Sequence, residues 1–174
     1  MKLHWRPALT LLFCLPCAAT VVPRYDLAEL TESSEWIVHG TILRSWTEKK
    51  PGHQFTWIHH ELKPVEILKG RAQPRFVISE PGGELGGVQQ LFSGTPRFQP
   101  HEEVIVFLYR TPIGYLRVFG LSQGKYTVRG QRLAVDLQGL AFAGPAKARS
   151  ENWNGAAIKD FKVTIRRLAA KGKE

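Results

Sequence analysis

The chain has 174 residues, 43% of them hydrophobic and 22% charged, and 24 Lys and Arg against 15 Asp and Glu give a formal charge of +9. That length favours one domain with a proper core over two. After the first nineteen residues no stretch reaches membrane-spanning length without charges, which excludes a later transmembrane helix.

Residues 1–19 read as a secretory signal peptide: Lys2 and Arg6 make a cationic start, residues 8–17 are apolar, and small Ala18, Ala19 and Thr20 follow. The apolar run is about half the roughly 20 residues needed to cross hydrocarbon, so a membrane anchor is disfavoured. Phe13 precedes Cys14 and Pro16 precedes Cys17, which does not fit a lipidation signal. Cleavage after Ala19 removes both cysteines and lowers the formal charge from +9 to +7. A mature chain without thiols points to an exported protein, periplasmic or extracellular, of a bacterial envelope rather than an animal secretion. The expected division is a signal peptide over 1–19, a β-barrel domain over 20–143, and a linker with a basic C-terminal helix over 144–174.

Taken in chain order, residues 24–35 predict a short helix, with Leu27 and Leu30 on its apolar stripe and Asp26 as its cap. Residues 36–46 predict a strand with Trp36, Val38 and Ile42 on one side and Ile37, Thr41 and Leu43 on the other, bent at Gly40. A turn at residues 49–52 leads into a long second strand over 54–68. Its apolar parity changes across Lys63 and Pro64, which requires a bulge or break there. A third strand covers 75–79. Residues 81–100, rich in Gly and Pro, predict the one long loop.

The run Val-Ile-Val-Phe-Leu-Tyr over 104–109 fits a strand buried on both faces. Residues 111–114 turn the chain into a strand over 115–119, and further strands follow over 125–129 and 132–137. Residues 138–154 read as a polar linker. Asn154 then caps a helix whose Ile158, Phe161, Ile165 and Leu168 form an amphipathic stripe. The fold class expected is mainly β: a small OB-like barrel with a short N-terminal helix and a C-terminal amphipathic helix, the alternative being a two-sheet sandwich.

Four constellations bear on chemistry. The glycines at 82, 83, 86 and 87 follow a strand but neither a helix nor a lysine follows them, so a phosphate-binding loop is disfavoured. His59, His60 and Glu61, with His53 upstream, are the densest possible metal ligands. Adjacent strand residues point to opposite faces, however, and only His39 or His101 are available to complete a set, so no metal or other cofactor is expected. No nucleophile-elbow motif surrounds any serine, which leaves an envelope hydrolase using His59, Glu61 or Glu102 as an alternative without positive support. Lys159, Lys162, Arg166 and Arg167 in the basic C-terminal stretch suggest a polyanion-binding module as another alternative. Tyr and Trp residues interleaved with bases are too generic to indicate nucleic acid, a partner that export also disfavours.

Ile67-Leu68-Lys69-Gly70, Pro81-Gly82-Gly83, Gly94-Thr95-Pro96-Arg97-Phe98, the His101 to Leu108 run and Gln123-Gly124-Lys125-Tyr126 occur in an order that resembles a group of exported bacterial proteins of unknown function. The resemblance spans roughly 100 residues and implies no activity. More distantly, the strand at 37–43 and the segment at 65–70 are similar to the OB-like barrels of netrins and tissue inhibitors of metalloproteinases. Those inhibitors act through an amino-terminal cysteine held by disulfides, which the mature chain lacks, so the similarity implies fold alone. The expectation is an exported, non-catalytic binding module for a protein or envelope ligand. Its contacts are expected in the long loop, at Gly82, Gly83, Glu84, Arg97 and Phe98.

Overall fold

The computed structural model describes residues 20–52, 54–143 and 152–172. The expected signal peptide over 1–19, His53 and residues 144–151 of the expected linker fall outside these residues. In chain order the elements are β1 (Thr20–Pro23), α1 (Leu27–Ser33), β2 (Trp36–Glu48), β3 (Trp57–Lys69), β4 (Phe76–Pro81), β5 (Gly83–Leu85), β6 (Val88–Gln90), β7 (Glu103–Arg110), β8 (Leu116–Val118), a 3-10 turn (Leu121–Gly124), β9 (Lys125–Arg129), β10 (Arg132–Ala134), β11 (Leu140–Ala143) and α2 (Ile158–Lys171). The fold is mainly β.

Five strands pair in a ring, β2-β3-β4-β8-β7 and back to β2, with β9 and β10 continuing outward from β7. All neighbours in the ring are antiparallel except β4 and β8. Alternation along β7 divides the core in two. Val104, Val106 and Leu108 face the ring interior with Trp36, Val38, Ile42, Leu62, Phe76, Ile78, Leu116 and Val118. Ile105 and Phe107 point the other way, into a second cluster with Ile37 and Tyr126, closed by Leu27 and Leu30 of α1 and by Phe161 and Ile165 of α2. The continuous apolar run of β7 is thus a strand between two cores.

The parity change in β3 is a bulge. Gly40 pairs with Pro64 and His39 with Glu66, leaving Val65 unpaired and turned to solvent. Gly40 is required beside it because a Cβ there would stand 2.5 Å from the Lys63 carbonyl oxygen. Asp26 caps α1 as expected: its carboxylate accepts from the Glu29 N–H, and the Glu29 side chain accepts from the Asp26 N–H. At the other end the Lys69 ammonium donates to the Thr31 and Glu32 carbonyls, placing a cation at the helix C-terminus.

The described residues correct four expectations. Helix α1 is shorter than 24–35. Residues 81–100 are not wholly loop, since β5 and β6 form a hairpin within them. The linker contributes β11, which pairs in parallel with β1, neither strand being evident from periodicity. Helix α2 begins after Ala157 rather than at Asn154, because Gly155 sits at φ +80° and its N–H donates to the Leu133 carbonyl, the Leu133 N–H donates to the Ala156 carbonyl and the Ile158 N–H to the Gln131 carbonyl, pairing this stretch with β10 and its turn. The Asn154 carboxamide oxygen accepts from the Val135 N–H.

Ring closure rests on one side chain. β4 and β8 share a single backbone register pair, Ile78 with Leu116. Two residues further on, the Glu80 carboxylate occupies the seam: Oε1 accepts from the Val118 N–H at 2.8 Å, and Oε2 accepts from Nε and Nη2 of Arg117 at 3.1 and 2.9 Å. Glu80 is 0% exposed, and burial pushes its carboxyl above the usual range against the pull of Arg117 and the Val118 N–H. Removing one member of a buried, hydrogen-bonded pair costs about 3–5 kcal/mol. Glu80→Ala is therefore expected to lose about that much in a urea titration followed by tryptophan fluorescence, whereas a loss below about 1 kcal/mol would show that the seam holds without it.

Candidate functional site

The hairpin that follows Glu80 is set at its base and free at its tip. Gly82 and Gly83, at φ +115° and +108°, swing the chain out of β4 in a conformation open to glycine and strained for other residues. The Gly82 N–H donates to the Thr56 carbonyl at 2.8 Å, and the Thr56 N–H donates to Oε1 of Gln90 at 2.9 Å, so both hairpin strands are tied to the start of β3. Gly86 and Gly87 make the turn with φ of +60° and +76°, the double positive φ of a tight two-residue hairpin. A Cβ at either would meet nothing within 4 Å, so the tip projects into solvent.

Its apolar side chains do not fold back. Leu85 and Val88 pair across the turn and are exposed, as are Leu91 and Phe92 after it. Phe92 packs edge-on against Phe55, itself exposed, at 5.1 Å. Of the ten large apolar side chains exposed among the described residues, five stand here, and Val88 and Leu91 are each 64% exposed. Beside them a cleft of about 410 Å³ is lined by Leu91, Phe92, Arg97, Lys125 and Asp136 among others.

The five residues expected to make contacts do not lie together. Gly82 and Gly83 form the hinge, Glu84 is exposed on β5 opposite Gln89, and Arg97 is exposed while its carbonyl accepts from the Lys125 ammonium. Phe98, 7% exposed, belongs to the ring core, with its ring 4.6 Å from that of His60 and the Lys125 ammonium over its face at 4.9 Å. Leu85, Val88, Leu91 and Phe92 lie in the same loop but are not among those five expected contacts, although the sequence carries a signal for their exposure: hydrophobic residues in a glycine-rich stretch with no periodic partner.

The histidines of β3 diverge, as strand alternation requires. His60 points inward, its Nδ1 2.7 Å from the Ser45 hydroxyl, and burial lowers its pKa to about 4. His59 points outward between the rings of Trp46 and Tyr115, at 5.3 and 5.8 Å. Its Nδ1 lies 2.8 Å from the Ser79 hydroxyl, and its Nε2 lies 3.3 Å from the Glu48 carboxylate without the alignment of a hydrogen bond. Burial holds the imidazole below its usual pKa. Ser79, His59 and Glu48 follow the order of a nucleophile, base and acid beside a cleft of about 460 Å³. Ser79 is 2% and His59 4% exposed, with His59 between two aromatic rings, and the string ties β2, β3 and β4 together.

Glu61 and Glu102 stand apart from it. Arg44 and Arg75 hold the Glu61 carboxylate below the usual range. Burial raises the Glu102 carboxyl, but Lys125, Thr127 and the Gln99 N–H together hold it low. His59, Glu61 and Glu102 therefore share no centre. Among the described residues no three His, Cys, Asp or Glu side chains converge where a metal ion would sit. Of the four basic residues considered for a polyanion, Lys162 and Arg166 bind Glu66 on β3, while Lys159 and Arg167 make no such contact, and all but Lys162 are exposed.

Comparisons with the profiles of known families, with curated proteins and with solved structures give no match to this chain.

The buried imidazole of His60 makes stability depend on pH. Its folded pKa of about 4 lies below the ordinary 6.5, so between those values the unfolded chain binds a proton that the folded chain refuses, and stability falls as pH falls. The window is worth about 3 kcal/mol. Urea midpoints of the native protein should therefore drop between pH 6.5 and 4, and His60→Leu should remove the larger share of the drop; an unchanged slope in that variant would assign the effect elsewhere.

Proposed function

We propose that this chain is an exported binding module, an OB-like barrel that holds a protein ligand through the β5–β6 hairpin and the segment at 91–97. Three features support it. With the ring strands numbered in chain order, β2, β3, β4, β7 and β8 become first to fifth, and the ring runs 1-2-3-5-4-1 with the third and fifth parallel, the order of a closed five-strand Greek-key barrel of OB type. The hairpin is built rigidly at its base, so little conformational entropy is lost on docking. The feature that carries the proposal is the concentration of five exposed apolar side chains on the hairpin and the segments at its base, Leu85 opposite Val88 at the tip, and Leu91, Phe92 and Phe55 below it.

A protein ligand fits better than an anionic lipid surface or polysaccharide. The one charge on the hairpin is acidic, Glu84, and Gln89 and Gln90 flank the apolar side chains with groups able to hydrogen-bond. Aliphatic side chains on a preformed convex hairpin suit an apolar recess on a partner. The leader over 1–19 supports export to the periplasm or beyond, and the burial of Ser79 and His59 favours binding over catalysis.

The triple variant Leu85→Ser, Val88→Ser, Leu91→Ser removes three exposed contacts while leaving both cores intact. In cross-linking capture from envelope extract, quantified by mass spectrometry, it should recover at least about tenfold less of the ligand than the native protein, in line with the loss of hot-spot side chains. A control altering the exposed but scattered Val65 and Ile113 should leave recovery unchanged. Equal recovery by the triple variant would refute the hairpin as the contact.

A further inference from the structure

We propose that helix α2 is held to the barrel by an acid-sensitive latch, in which a proton on His39 breaks its bond to Lys162 and loosens the helix. The proposal is independent of the ligand at the hairpin.

The latch is defined by geometry. His39, on the outer face of β2, is 4% exposed. Its Nδ1 lies 2.8 Å from the Lys162 ammonium, and its Nε2 lies 2.6 Å from Oε1 of Glu103. An ammonium only donates, so Nδ1 must be a bare acceptor and the single ring proton must sit on Nε2, donating to Glu103. This arrangement exists only with a neutral imidazole. A second proton, on Nδ1, would point a donor at a donor and set two cations in contact.

The surrounding charges come from every element packed against His39. Glu103 on β7 favours the protonated ring, Lys162 on α2 opposes it, and Glu66 on β3 binds both Lys162 and Arg166. Burial prevails, and the imidazole titrates below its usual range while the helix is docked. In the released state the ring meets water and loses the Lys162 cation while keeping Glu103, so its pKa returns at least to the ordinary value of about 6.5. Protons therefore favour release, and the balance shifts as pH falls through 6.5.

One proton limits the gain. The opening constant of α2 can rise by at most about tenfold per pH unit. Phe161 and Ile165, both 0% exposed, resist full departure of the helix, so release is a minor population that grows in acid. What it uncovers is apolar: Ile105, Phe107, Tyr126 and Leu133 on the face shared by β7, β9 and β10.

Hydrogen exchange on the full chain between pH 7.5 and 5, corrected for intrinsic rates, tests the latch. Amides of α2 should open at a lower free energy than those of β7 and gain in opening by several-fold to about tenfold per pH unit below 6.5, while β7, which exchanges by global unfolding, responds to His60 as well. Opening free energies equal in α2 and β7 at every pH would mean that the helix leaves only by global unfolding and would overturn the proposal. In His39→Gln the carboxamide offers a donor to Glu103 and an acceptor to Lys162 but cannot titrate, so the pH response of α2 should vanish while β7 keeps the part due to His60. Lys162→Met, which retains the apolar stem without the charge, should shrink the α2 response as well. A native pH response in His39→Gln would place the sensor elsewhere.

Discussion

Closure of the ring depends on a carboxylate doing the work of a strand. β4 and β8 diverge after one register pair, and the Glu80 side chain reaches across to take the Val118 N–H that the neighbouring backbone does not reach. Arg117 neutralises the charge that this buries, with its guanidinium also 5.9 Å over the Trp57 ring. A buried carboxylate is expensive unless both its charge and its lone pairs are met, and here both are. Because Pro81, Gly82 and Gly83 follow directly, the same contact sets where the hairpin leaves the ring. The proposed binding surface is thus positioned by the group that closes the fold.

A second constraint follows from chain length. A ring of five strands encloses a narrow interior, and β7 would spend half its apolar side chains on solvent if nothing covered its outer face. The helices, from opposite ends of the sequence, meet over that face, with Phe161 of α2 packed against Phe107 and Tyr126. Polar groups secure the arrangement at its edge: Lys162 bridges His39 and Glu66, and Lys69 serves the end of α1. Basic residues that look in composition like a polyanion tail are in part internal fasteners.

Much of this was legible in the residues. The parity of β2, the two-faced burial of β7, the bulge beside Pro64 and the cap at Asp26 each follow from local periodicity or side-chain reach, which operate over a few residues. The OB-like expectation arose from the number of strands and the bent first one. The strand order that supports it required knowing that β8 returns to lie between β4 and β7. The β1–β11 pair was illegible because parallel partners over a hundred residues apart leave no local signal in four-residue strands. Asn154 misled because the glycine after it turns left-handed.

The site divides along the same line. Sequence by itself determined that the glycine-rich segment at 81–100 would be the irregular feature of an otherwise β-rich chain, and that His59 and His60 could not act together, since both conclusions rest on backbone conformation and strand alternation. Only tertiary structure decided that Phe98 is core, that Leu85, Val88, Leu91 and Phe92 are left outside, and that His59, Glu61 and Glu102 are each committed to separate partners. Whether an apolar side chain is buried or a charge is paired depends on neighbours distant in the chain, and those neighbours are brought near only when the ring closes on Glu80.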